Sequence, residues 1–394
     1  MRKQASFYIN GQMTHASADE CQMMLADFLR YKKSLTGTKV VCAEGDCGAC
    51  TLLKRSPLSD ATYTPINSCI ASVAQMDGSS LITVEGLTRD TGPHPAQDAM
   101  MKCHGSQCGF CTPGFVMAIA GDIEEKIKNN KDAAVNLQQA KNALTGNLCR
   151  CTGYQPIIDA FLSIDLKKIT PLDKTYYSKT IDANLKKICK SPLTVTNDQF
   201  SFYAPTNLKD AKQYLKKYKH IKIIAGTTDL GVLHNKQKQR IQHAMSLHLI
   251  SDLYKIKKTA SVISVGAQVN LSTLRKYILK SIPQFASFLD IFASPQIKNM
   301  ATLVGNIANA SPIADTPPFL LVANAKIEVI GAKGKRLIPI EDFYISYKKT
   351  KLAKDEIITH VHFEIPNKKD LLGIYKVSQR KDLDISAVNL AIRA

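Results

Sequence analysis

The chain has 394 residues, 45% of them hydrophobic, and a formal net charge of +19. That length allows about two to four domains. No apolar run approaches the length of a membrane span, and residues 1–4 lead into a strand pattern without the apolar core of a signal peptide. The positive charge invites a nucleic-acid partner, yet no recognised nucleic-acid motif and no basic face interleaved with aromatics accompanies it. The excess lies in lysine-rich stretches at 167–190 and 209–219, expected as a linker and a solvated helix face. Neither a nucleic-acid nor a membrane partner is therefore expected.

Residues 6–9 are rich in aromatic and β-branched side chains, and Asn10-Gly11 is the preferred pair for a type I′ hairpin turn. Residues 21–31 carry Met24, Leu25, Phe28 and Leu29 at helical spacing. Then comes a C-x4-C-x2-C loop, Cys42, Cys47 and Cys50, with Cys69 as a more distant fourth thiol. This is the spacing with which plant-type ferredoxins hold a 2Fe-2S cluster. Three thiolates must converge on a small inorganic core while the backbone wraps it closely, and Gly45 and Gly48 give the loop that freedom. Zinc is the rival for four cysteines, but structural zinc sites favour paired C-x2-4-C knuckles. Residues 80–84 read as a closing strand.

A second set follows: Cys108 and Cys111 as C-x2-C, closed by Cys149 and Cys151 as C-x-C. A lone C-x2-C also suits redox and zinc sites. Here both pairs precede predicted helices, at 115–127 and 156–162. Helix N-termini favour negative charge, which suits an anionic iron–sulfur thiolate core. Thiolates that must stay reduced predict a cytoplasmic setting. Cys21, Cys103 and Cys189 stand outside both sets and are expected to be ordinary buried thiols.

From about residue 203 the pattern changes to alternating strand and helix. An apolar run at 221–225 ends in Gly226-Thr227-Thr228-Asp229-Leu230, whose amides and hydroxyls suit a pyrophosphate; alone, it is equally an ordinary turn. Residues 293–312 are dense in small and amide side chains. No G-x-G-x-x-G occurs, which excludes a Rossmann-type flavin site.

Residues 105–114 (Gly-Ser-Gln-Cys-Gly-Phe-Cys-Thr-Pro-Gly) and 146–154 (Gly-Asn-Leu-Cys-Arg-Cys-Thr-Gly-Tyr) resemble the helical cluster domain of the xanthine dehydrogenase and aldehyde oxidase family. The first cysteine loop resembles that family's ferredoxin-like domain. Residues 223–230 and 293–312 resemble the two dinucleotide loops of its flavin domain. The resemblance implies an α+β multidomain chain. Its parts are a β-grasp 2Fe-2S ferredoxin-like domain (1–86), an all-α 2Fe-2S helical-bundle domain (87–165) and a linker (166–199). An α/β FAD-binding domain of the non-Rossmann, PCMH-like type (200–369) follows, then the start of a truncated C-terminal flavin subdomain (370–394). The implied FAD contacts are Ile223, Ile224, Ala225, Gly226, Thr227, Thr228, Asp229 and Leu230 in the first loop. Phe292 would lie against the isoalloxazine, and Thr302, Leu303, Val304, Gly305 and Asn306 would contact phosphates and ribose. Asp315 would hold a ribose hydroxyl, with Ile358 and Lys376 completing the site. A mobile loop at 377–387, with Arg380, Lys381 and Asp384, would lie beside the flavin.

Gln107 matches the position that faces the pterin, although read alone it is a loop glutamine capping a helix. Two residues depart from the family pattern: Val41 and Val304 stand where glycine is usual. Crowding of the flavin, or strain at a positive φ, is the expectation for Val304.

The implied function is the electron-transfer subunit of a molybdenum hydroxylase, with no catalytic residue on this chain. Electrons from molybdopterin on a large partner subunit would pass through the helical-domain cluster, the ferredoxin-like cluster and FAD to NAD. A dimer of heterodimers is implied. A purine is the leading substrate of the partner, an aldehyde or aromatic heterocycle the alternative. Two further readings stay open: a flavin-less 2Fe-2S electron-transfer module, and a zinc-stabilised interaction protein.

Overall fold

The computed structural model describes every residue except 60–61, 130–133, 219 and 240. It divides into two compact units. One comprises Met1–Ser201 with Leu230–Gln242 and Pro295–Ile297; the other comprises Phe202–Asp229, His243–Ser294 and Lys298–Ala394. No helix among the described residues is long and apolar enough to cross a membrane.

In the first unit, β1 (Ala5–Ile9) and β2 (Gln12–Ala16) form an antiparallel hairpin. Asn10 and Gly11 take φ values of 49° and 81°, as an Asn-Gly turn of this type requires. Two helices follow, α1 (Ala18–Cys21) and α2 (Leu25–Lys32), where one had been expected at 21–31. The division has a local cause. Ser17 and Glu20 close a capping box on α1, while Met24 is extended and bridges Ser72 before α2 begins. Leu25, Ala26, Phe28 and Leu29 then face the core. Strands β3 (Thr51–Arg55), β4 (Thr64–Asn67) and β5 (Ser80–Ile82) complete a sheet ordered β2-β1-β5-β3-β4, with β1 and β5 parallel. The closing strand ends at Ile82 because a 3-10 turn begins at Val84.

The helical part holds α3 (Pro95–Lys102), α4 (Thr112–Asn129), α5 (Leu137–Leu144) and α6 (Gln155–Leu162). Helix α4 is buried all round from Gly114 to Gly121, which its unbroken apolar sequence reflects. A Cβ on Gly121 would stand 2.7 Å from Pro65 and 2.9 Å from Leu53, so glycine lets the helix lie directly on β3 and β4.

Residues 166–199, expected as a linker, are folded into α7 (Leu172–Tyr176), α8 (Lys179–Cys189) and β6 (Leu193–Thr196). Leu172, Leu185 and Leu193 are fully buried, while Lys167, Lys168, Lys174, Lys179, Lys186, Lys187 and Lys190 are exposed. The lysines gave the stretch its solvated look; the widely spaced leucines anchor it. Arg2 grips Asp77 through two hydrogen bonds of 2.6 and 2.5 Å and also donates to the carbonyls of Ile188 and Ser191. Asn184 donates to the Tyr8 hydroxyl at 3.0 Å, and the Arg55 guanidinium lies 3.7 Å above the Tyr177 ring while pairing with Asp173.

The second unit contains a parallel pair, Lys222–Ile224 and His243–Ser246, with Ser201–Ala204 beside the latter. Its larger sheet runs in the order Ile256–Lys258, Val262–Gly266, Ile357–Glu364, Lys326–Gly331 and Gly334–Pro339. Phe285, Phe319 and Phe363 fill the core, the first two stacked at 3.8 Å and the third edge-on to Phe319 at 5.6 Å. A hairpin of Leu372–Val377 and Val388–Arg393 follows.

One buried acid links α4 to the folded 166–199 segment. Glu124 is 2% exposed and accepts a hydrogen bond from the Leu172 N–H at 2.9 Å. Burial pushes its carboxyl up to about 7 from an ordinary 4.5. A folded-state value above the unfolded one means the native state prefers the neutral acid. This contribution is full below the unfolded value and is lost as pH rises through about 7. Glu124→Gln should therefore raise stability by roughly 3 kcal/mol at about pH 8 and change it little near pH 5. Thermal unfolding across that range tests this; a difference that does not grow with pH contradicts it.

Candidate functional site

The first cysteine set lies in the loop between α2 and β3, closed by Cys69 in the 3-10 turn after β4. Thiol–thiol contacts run from Cys47 to Cys42, from Cys42 to Cys69 and from Cys69 to Cys50. Cys50 and Cys69 are buried, Cys42 and Cys47 half-buried. Hydrogen bonds from Cys47 and Cys69 hold the Cys42 thiol far below its ordinary range. The backbone N–H groups of Glu44 and Cys47 point at Cys42 Sγ, at 3.4 and 3.5 Å. Gly45 and Gly48 take positive φ values, 76° and 69°, in the tight wrap of this loop, and Ala43, just before Glu44, also has a positive φ, 53°.

The carbonyls of the same loop are tied outward by three asparagine side chains that the sequence reading did not single out. Asn235 donates to Ala43 O at 2.8 Å, Asn67 to Gly45 O at 2.6 Å and Asn147 to Gly48 O at 3.0 Å. Asn235 also donates to Cys69 O at 2.8 Å. Asn67 and Asn147 each sit two residues before a cysteine, a signal available in the sequence. Nothing local marks Asn235, nor Gln296, which donates to Asn147 Oδ1 at 2.8 Å.

The second set gathers where α3, α4 and α6 meet. Cys108 and Cys151 are in contact at 3.4 Å, and Cys111 touches Cys149. Cys111 immediately precedes α4, and Cys149 Sγ lies 3.2 Å from the Thr152 hydroxyl. Cys108 and Cys151 are exposed, as are Gln107 beside them and the apolar Met101, Phe110, Leu148 and Tyr154. Among the described residues, no three or more His, Cys, Asp or Glu side chains converge as the ligands of one metal ion. In the second set the thiols stand as two neighbouring pairs and in the first they touch in a chain of four; each is a group of four thiols, the number that two irons sharing four thiolates need. Cys21 and Cys189 are buried, with burial pushing both thiols up to about 12, and Cys103 lies 3.9 Å from the Ser163 hydroxyl.

The two sets are joined through their loops. The Leu148 N–H donates to Cys47 O at 3.0 Å. A Cβ on Gly48 would stand 2.1 Å from Gly146 O, and one on Gly114 would stand 2.3 Å from Gly48 O. No side chain fits between these backbones.

In the second unit the structure brings the two candidate flavin loops together. Ile223 and Ile224 end the strand Lys222–Ile224, and after Ala225 a Cβ on Gly226 would stand 1.9 Å from Met300 O. Thr227 follows at φ 55°, and Thr228 and Asp229 open the helix Thr228–Asn235. Leu230 falls in the first unit and so is not grouped with them. Thr302 caps the helix Leu303–Ala308, accepting from the Gly305 N–H at 2.9 Å. Leu303 and Val304 are buried in that helix, and Val304 has no positive φ. The strain expected there is absent because the residue is helical and its side chain turns into the core. Asn306 accepts from the Thr316 hydroxyl at 2.6 Å. Asp315 gathers Lys376 (2.7 Å), Ser386 (2.5 Å) and Asn389 (3.1 Å), so it anchors the terminal hairpin. Phe292 packs on the core edge, and Ile358 lies within the core at 5% exposure.

Gly114→Ala tests the close approach without disturbing φ. Its Cβ would enter the space of the Gly48 carbonyl, and overpacking of this kind costs about 2 kcal/mol. A lower melting temperature and a loss of bound iron on anaerobic purification are expected. Unchanged values of both would contradict the packing described.

Residues 83–162 match the family model of a 2Fe-2S binding domain, and residues 198–368 match that of the FAD binding domain in molybdopterin dehydrogenase. A xanthine dehydrogenase of Blastobotrys adeninivorans is 29% identical, covering 98% of this chain and 34% of its own length. One of Oryza sativa subsp. japonica is also 29% identical, over 99% of this chain and 33% of that protein. Aldehyde oxidase 1 of Bos taurus is 27% identical over 98% and 33% respectively. The chain thus spans about a third of the length of these curated relatives. The 2Fe-2S match contains the second cysteine set and the FAD match the glycine–threonine loops, and nearly all of the chain aligns, so along its length it matches the iron–sulfur and flavin-binding region of the xanthine dehydrogenase and aldehyde oxidase family.

Proposed function

We propose that this chain carries single electrons between a molybdopterin centre on a large partner subunit and FAD, with NAD as the final acceptor. The observation that carries the reading is the pairing of thiols into two sets of four within one compact unit. Cys42, Cys47, Cys50 and Cys69 would hold one 2Fe-2S cluster, and Cys108, Cys111, Cys149 and Cys151 the other. When bound, such clusters supply one-electron carriage at potentials tuned by hydrogen bonds to sulfur and by exposure, and FAD supplies the exchange between one- and two-electron chemistry.

The protein's own part is positioning and electrostatics. The inward amides of Glu44 and Cys47 favour a thiolate at Cys42, while the asparagine ties keep loop carbonyls away from negative charge. The difference in exposure supports an order. The second set opens to solvent among Met101, Phe110, Leu148 and Tyr154, an apolar surround suited to a docked partner. The first is less open, with Cys50 and Cys69 buried and Cys42 and Cys47 half-buried. Gln107 would face the pterin from this exposed side. In the flavin region, Gly226 lets the first loop lie directly on Met300 of the second and Thr302 caps the short helix that follows; these two loops would hold the dinucleotide, beside the Asp315–Lys376 pair. Substrate oxidation is assigned to the partner, so a purine is the proposed substrate of the complex and not of this chain.

Iron, acid-labile sulfide and flavin per chain, measured on protein purified anaerobically, test the reading. About four irons, equal sulfide and one FAD are expected. Zinc without sulfide would defeat the cluster assignment. Full iron without flavin would reduce the chain to an iron–sulfur carrier.

A further inference from the structure

Two buried amide side chains connect the cysteine sets, and neither is a ligand. Asn147 is 2% exposed and Gln296 is fully buried. Asn147 donates through Nδ2 to Gly48 O at 3.0 Å, while its Oδ1 accepts from Gln296 Nε2 at 2.8 Å. Gln296 Nε2 also donates to the Thr51 hydroxyl at 3.2 Å, and that hydroxyl donates back to Gly48 O at 2.6 Å. A closed ring of hydrogen bonds therefore surrounds the Gly48 carbonyl. Gly48 lies between Cys47 and Cys50, and Asn147 is two residues before Cys149. Beside the ring, the Leu148 N–H meets Cys47 O at 3.0 Å. One peptide hydrogen bond thus connects the sets directly, with Cys47 on one side and Cys149 next to Leu148 on the other.

We infer that Asn147 and Gln296 are positioning residues that fix the spacing and electronic coupling of the two cysteine sets by holding the Leu148–Cys47 hydrogen bond closed. The inference rests on the cluster reading above. Burial explains why amides serve here. A buried amide network favours one arrangement: without the Gln296 donor Asn147 Oδ1 loses its partner, and without the Asn147 amide the Gly48 carbonyl keeps only its contacts to Thr51 and loses its tie to residues 146–148. An apolar filler would pack the space without setting the register of the Gly48 carbonyl against residues 146–148. The tight backbone approaches at Gly48 and Gly114 leave no slack to absorb a shift.

Two variants of the full chain test this, purified anaerobically with their clusters. Asn147→Asp keeps the shape and the acceptor for Gln296 but sets a carboxylate oxygen against the Gly48 carbonyl. Gln296→Leu removes the donor behind Asn147 and leaves Asn147 itself intact. The readout is the magnetic splitting between the two reduced centres in low-temperature electron paramagnetic resonance, with iron and acid-labile sulfide measured alongside. Both variants should retain native iron and sulfide and lose the splitting. Native splitting in both would overturn the inference alone. Loss of iron from both would also overturn it, because the residues would then serve cluster retention. A native chain without either signal would overturn the cluster reading and this inference together.

Discussion

An anionic cluster of thiolates tolerates backbone N–H groups around it and rejects carbonyls, and the first cysteine loop is built on that asymmetry. Each peptide that turns its N–H inward must find another place for its carbonyl. In residues 43–48 those carbonyls end on the side-chain amides of Asn67, Asn147 and Asn235. These three come from the end of β4, the approach to the second cysteine set and the segment Leu230–Gln242. The loop therefore cannot hold its shape alone; it takes it from pieces of chain widely separated in sequence. Folding of the first unit and the shape of the first site are the same event.

This dependence explains the close interlocking of the ferredoxin-like and helical parts. Gly48, Gly114 and Gly121 remove side chains where backbones meet, so α4 lies against both the cysteine loop and strands β3 and β4. The folded 166–199 segment adds a belt over the sheet, anchored by Arg2 on Asp77 and by Arg55 over Tyr177. A carrier of single electrons benefits from such rigidity, because coupling falls steeply with small changes in separation.

Much of this was legible in the sequence because it depends on local chemistry. Cysteine spacing, the Asn10-Gly11 turn and the helix-entry positions of Cys111 and Cys151 are read from neighbours along the chain. So were Leu25, Phe28 and Leu29 as a buried helix face. What escaped was long-range. The capping box at Ser17 and the bridge at Met24 divided one expected helix into two. The leucines of 166–199 were outnumbered by lysines, and their burial depends on a sheet formed by residues 1–82. Gln296 sits in a stretch read for flavin binding and Asn235 lies just past one, and no periodicity reveals that Asn235 bonds the cysteine loop or that Gln296 supports it through Asn147. Val304 was expected to carry strain; a short helix capped by Thr302 removed the need for a positive φ.

The central claim is that the chain holds two separate two-iron clusters in a fixed relation. Reductive titration of the anaerobic protein, followed by low-temperature electron paramagnetic resonance, tests it most directly. Two distinguishable signals of equal intensity, each split by the other at full reduction, are predicted. One signal alone, two without mutual splitting, or none in a protein that carries zinc would contradict it.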